Sequence, residues 1–134
     1  MFELKYIELK SGYNDNGPAW IGWVKLSQSG RTLYFNDRAF QKEHSAGKGA
    51  YFDVETGEVY WISGVKKDGS DRHWAGKGYD RTQIDRTAVQ AYLSITGEAE
   101  LDTRRLEIVD IPACYPVARI QKLLNEKQDV RDGD

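Results

Sequence analysis

The sequence predicts an α+β domain: a small, strongly curved antiparallel sheet or half-barrel of five or six strands, covered by two helices. Three observations predict it. Hydrophobic residues alternate with polar ones over the first two thirds of the 134 residues. Gly, Asn and Asp interrupt that alternation at short intervals, as hairpin turns require. After residue 80 the hydrophobic period lengthens to about 3.6. Strands followed by helices indicate α+β rather than a parallel sheet with crossover helices.

The first strand falls in "FELKYIELK", where Phe2, Leu4 and Tyr6 share one face and Ile7 and Leu9 the other. Such a strand either bulges or passes between two apolar environments. "SGYNDNGPA" is a loop by its turn chemistry. "WIGWVKL" and "RTLYFND" form a hairpin around "SQSG". "YFDV" and "EVYWISGV" form a second around "ETG", with Gly57 suited to a left-handed position. Asp68-Gly69 supplies a third two-residue turn. The Gly-rich segment at residues 42–50 is a flexible connector; it lacks the residue order of a phosphate-binding loop.

Asp85 is placed to cap a helix over residues 86–96, stapled by Ile84 against Val89 and ended by Gly97. "LEIVDI" is a further strand, stopped by Pro112. Pro116 opens a closing helix with Val117, Ile120 and Leu124 on one side. Residues 1–128 are expected to form one globular domain, and residues 129–134 a disordered acidic tail.

Charge narrows the partners. The formal net charge of −2 arises in the tail, where Asp129, Asp132 and Asp134 outweigh Arg131. The neutral body lacks the footprint of a nonspecific nucleic-acid or anionic-membrane binder. Cys114 is the only cysteine, which excludes an intrachain disulfide and a thiolate zinc cluster. It is expected to be a small buried residue rather than a nucleophile. His44 and His73 stand too far apart for a metal motif, and no metal or cofactor is expected. No apolar run resembles a signal peptide or membrane span, so a cytoplasmic protein is expected.

Reactive side chains gather most closely in "VKKDGSDRHWAGKG", residues 65–78. With Asp68-Gly69 as a hairpin turn, Lys66 faces Asp71 as an opposite-charge pair. Alternation then sends Asp71 and His73 to the side of Tyr60 and Ile62, and Arg72 and Trp74 to the side of Trp61. One catalytic cluster of all four is therefore disfavoured. Asp71 and His73 could form a general-base pair, but no nucleophile or cofactor motif accompanies them. Trp61 is expected in the core, while Trp74 lies near the turn.

"GYNDNGPAWIGWVKLSQSGRTLYFN", "YFDVETGEVYWISGVKKDGSDRHWAGKG" and "IDRTAVQAYL" resemble a group of short bacterial proteins without an assigned function. The resemblance runs from Tyr6 to about Leu124. Members often carry the label 1-deoxyxylulose-5-phosphate synthase. That enzyme holds the metal of its thiamine diphosphate through a GDG motif. Here Asp68-Gly69 and Asp132-Gly133 follow Lys67 and Arg131, so the label is mistaken for this chain.

The residues favour a binding module over an enzyme. Its expected partner is a protein, recognised through an aromatic and basic surface of Lys66, Arg72, His73 and Trp74. Nucleic-acid binding is the alternative, since residues 65–86 hold six Lys or Arg against four Asp. A small enzyme with His73 as general base ranks third.

Overall fold

The structure, a computed structural model, describes residues 1–13, 16–71 and 81–132, with side chains through residue 126. Six strands close into an antiparallel barrel: β1 (Phe2–Leu9), β2 (Ala19–Leu26), β3 (Leu33–Phe35), β4 (Arg38–Lys42), β5 (Ala50–Asp53) and β6 (Val59–Gly64). Each pairs with the next in sequence, and β6 returns to β1 with Ile7 opposite Ile62. β7 (Thr82–Asp85) and β8 (Leu106–Val109) extend the sheet beside β2. Two helices complete the chain, α1 (Val89–Thr96) and α2 (Val117–Asp132).

Local chemistry explains the turns. Asn36 and Asp37 join β3 to β4 with φ of 49° and 62°, the left-handed pair that a two-residue hairpin turn needs. The short side chains of Asn and Asp tolerate that conformation better than other non-glycine residues. Gly57 adopts φ +79° in the β5–β6 turn, as its position implied. The Asp85 carboxylate accepts from the Thr87 amide at 3.1 Å, beginning a 3₁₀ turn that leads into α1. Gly97 ends the helix with φ +75°.

The two faces of β1 do different work. Ile7 points into the barrel with Val24, Leu33, Phe35, Phe40, Tyr60 and Ile62. Tyr6 points outward into a second cluster with Ile21, Ile84, Ala88, Tyr92 and Leu106. The strand passes between two apolar environments, and the β7–α1–β8 unit supplies the outer one. On the other side, Ile120 of α2 packs on Tyr34, Ala39 and Val54. The helices thus cover outer faces of a closed barrel, not the open face of a sheet.

Several expectations need correction. The antiparallel part has six strands, within the five or six expected, but it closes into a barrel, and β7 and β8 are added to it. β7 and β8 are parallel to each other, and β7 to β2, with α1 as the crossover. A parallel unit is therefore grafted onto the antiparallel barrel. It occupies the stretch where β2 leaves β3: only Lys25 and Leu26 pair with β3, while Trp20 and Ile21 pair with β7.

Candidate binding site at the end of the barrel

The segment singled out in the sequence is only partly described: Arg72, His73 and Trp74 lie outside the described residues. Lys66 is exposed beyond the end of β6. The turn there differs from the predicted one. The Gly69 amide donates to the Lys66 carbonyl at 3.1 Å, which makes Lys67 and Asp68 the central residues and sets Gly69 after them. Asp68 accepts from the Ser70 amide and hydroxyl, at 3.0 and 2.5 Å. The expected charge pair between Lys66 and Asp71 becomes a bond from the Lys66 backbone amide to Asp71 Oδ1, at 2.8 Å. Side chain and backbone compete for these groups, and the carboxylates take the amides a ladder would have used.

Asp71 borders a small cavity of about 50 Å³ with Tyr92, Glu98, Asp102 and Arg105. Arg105 Nη2 donates to the Gly69 carbonyl at 3.0 Å and fixes the turn against this niche. Asp71 Oδ2 is buried without a hydrogen bond among the described residues. Burial pushes the Asp71 carboxyl pKa up, while the Lys66 amide pulls it partly back.

A larger cavity, of about 280 Å³, opens at the end of the barrel where β1 finishes and β2 begins. Its wall is apolar and aromatic: Ile7, Leu9, Trp20, Phe35, Phe40 and Tyr60. The register dictates this gathering. Phe35 faces Arg38, and Phe40 faces Asp53, so alternation turns all four side chains inward at one end. Phe40 and Tyr60 meet edge to face at 4.7 Å between ring centroids. Phe35 fits because Gly22 lies beneath it: a Cβ there would stand 2.7 Å from Phe35 Cε1.

The polar groups of this end are few and placed. Asp53 is 1 % exposed, and its Oδ2 accepts from Arg38 Nη1 at 2.9 Å. Its Oδ1 accepts from the Glu55 and Thr56 amides at 2.8 and 3.3 Å. That bond to Asp53 holds Arg38 firmly in its charged form. Glu58 lines the cavity beside them, and its carboxylate has no ion pair among the described residues. The Tyr60 hydroxyl belongs to a residue only 2 % exposed and has no hydrogen-bond partner among the described residues. Burial raises its pKa, with Arg38 opposing.

The turns that rim the cavity are clamped from outside. Arg119 of α2 donates to Asp37 Oδ1 at 3.0 Å and to Glu55 at 2.9 and 3.1 Å. It ties the β3–β4 turn to the β5–β6 turn. Cys114, expected to be buried, is exposed on the same side, and its Sγ lies 3.2 Å from Asp37 Oδ1. That carboxylate pushes the thiol pKa up, which makes it a poorer nucleophile.

Trp61 also departs from expectation. It points outward, 37 % exposed, with its indole lying against Gly49. Closure makes the difference: the inner side of β6 already carries Tyr60 and Ile62, and no described helix covers the outer side at Trp61. Trp20, Phe40, Tyr60, Arg38 and Glu58 were not singled out in the sequence. Alternation within each strand places them on inward faces, but only the barrel register brings those faces together.

Among the described residues, no group of three His, Cys, Asp or Glu is placed to hold a metal ion. No described helix is long and apolar enough to cross a membrane. Comparison of the chain with protein families, characterised proteins and solved structures finds no match.

Proposed function

We propose that this chain is a binding module for a protein partner, and that the end of its barrel receives one side chain of that partner as an anchor. The observation that carries this reading is the aromatic cavity of about 280 Å³ between Trp20, Phe40 and Tyr60. Pockets for whole small ligands start at about 300 Å³ and extend well beyond. A space at the bottom of that range suits a single large side chain, and interface energy concentrates where such an anchor enters a desolvated pocket. Arg38, Asn36 and Glu58 supply the polar rim that orients it.

Nucleic acid is less well supported. Of the cations between residues 65 and 86, Arg81 is paired with Glu107 at 3.1 Å and Arg86 with Asp110 at 2.9 Å. Lys66 stands beyond the far end of β6 from Glu58, so Lys66 and the cavity are separate places on the domain.

A photo-crosslinking residue tests the assignment. Placed at Pro18, which is exposed and borders the cavity, it is expected to capture the same protein repeatedly from native cells. Placed at Lys66, it is expected to capture far less. Capture from Lys66 alone would move the contact to the other end of β6.

A further inference from the structure

We infer that the anchor received by the barrel end is a cation on an apolar stem, as on a lysine side chain, with Glu58 as its counter-ion. The inference rests on the reading that this end accepts a partner's side chain, and adds its chemistry. The charges decide the sign. Arg38 is already matched by Asp53 at 2.9 Å, and Asp53 is spent on that bond and two backbone amides. Glu58 is left over: a half-buried residue lining the cavity, with no ion pair among the described residues. The three groups therefore sum to one uncompensated negative charge at an apolar site, where a charge is screened less than on an open surface.

A second, independent observation points the same way. The Tyr60 hydroxyl lines the cavity from a residue 2 % exposed; no described group bonds it, and its oxygen is open to what enters the cavity rather than sealed from solvent. Its oxygen can accept from an ammonium N–H, as the Glu58 carboxylate can. Trp20, Phe35 and Phe40 offer rings that attract a cation over their faces and cover an aliphatic stem. An anion of the same shape would meet Glu58 as a like charge and the ring faces as repulsive quadrupoles.

Three probes of nearly equal size separate the possibilities: n-butylammonium, n-butanol and butyrate. Each is titrated into the full chain while the Trp20 indole N–H is followed by NMR, its signal assigned with Trp20→Phe. Butylammonium is expected to shift that signal saturably, butanol to bind at least about tenfold more weakly, and butyrate not to bind. Glu58→Gln is expected to lower butylammonium affinity about tenfold and leave butanol unchanged. Glu58→Asp, which keeps the charge, is expected to lie between. Butanol binding as tightly as butylammonium, or butyrate binding more tightly, overturns the cation while leaving the cavity as the binding site. If no probe moves the Trp20 signal, the cavity reading falls as well. The wild-type comparison decides the matter even if a Glu58 variant fails to fold.

Discussion

Asp53 and Asp71 are two carboxylates withdrawn from water in very different ways. Asp53, at the barrel end, is 1 % exposed yet accepts from one guanidinium and two backbone amides. Asp71, in the turn after β6, accepts from the Lys66 amide on one oxygen and from no described group on the other. The first is more deeply buried and better satisfied. A buried charge is tolerable when donors are built around it and expensive when they are not. For Asp53 the barrel register supplies the guanidinium, by setting Arg38 and Asp53 on inward faces of neighbouring strands, and the turn that follows adds the Glu55 and Thr56 amides. A local turn supplies Asp71 with one.

The contrast can be broken by substitution. Asp53→Ala is expected to have the largest effect, a loss of about 2–4 kcal/mol in urea unfolding, because it strands Arg38 and two amides together. A loss below about 1 kcal/mol would mean the network adds little. Gly22→Ala comes next, at about 1–3 kcal/mol, because the new methyl drives Phe35 from its place. It should also close the cavity, which a drop in butylammonium binding would register.

Asp71→Asn probes the other carboxylate through pH. The folded pKa of Asp71 is raised above its ordinary value of 3.8, so folding favours the protonated form. The stability it contributes is complete below that ordinary value and is lost as pH rises through the folded pKa. Asp71→Asn is therefore expected to gain in melting temperature relative to wild type at pH 7 and not at pH 3.5. The amide oxygen can still accept from Lys66. An equal effect at both pH values would show that Asp71 bears no burial penalty.

Arg119→Ala should matter least to stability, lowering the melting temperature by no more than about 3 °C, since its ion pairs are exposed. Its stronger signature is expected at the cavity rim. Hydrogen exchange should quicken in both turns, around Asp37 and Glu55, and nowhere in β7 or β8.

Much of the local structure was legible. Asp85 caps the 3₁₀ turn that leads into α1 and Gly97 ends α1, because these roles need only a carboxylate and a residue that accepts positive φ. Gly57 and the "SQSG" turn mark hairpins for similar reasons. β4 was not legible: "RAFQK" looks like the end of a loop, and its strand character comes from pairing with β3 and β5. β7 was hidden by its own role as the lead-in to the α1 cap. The two faces of β1 were readable as a puzzle, but the resolution needed β7, α1 and β8 to cover Tyr6. Lys66 through Trp74 drew notice because reactive types cluster there in sequence. Trp20, Arg38, Phe40, Glu58 and Tyr60 did not, because 40 residues separate the first from the last.

By itself the sequence determined most of the turns, the longer strands and the helices, and which faces of those longer strands are apolar. These are choices made within a few residues, by side-chain sterics, capping groups and alternation. Only the tertiary structure decided that β6 returns to β1, and with it which side of each strand faces in. Closure is a long-range pairing, fixed by how all six strands fill one interior. The residues of the cavity become neighbours only when that interior exists.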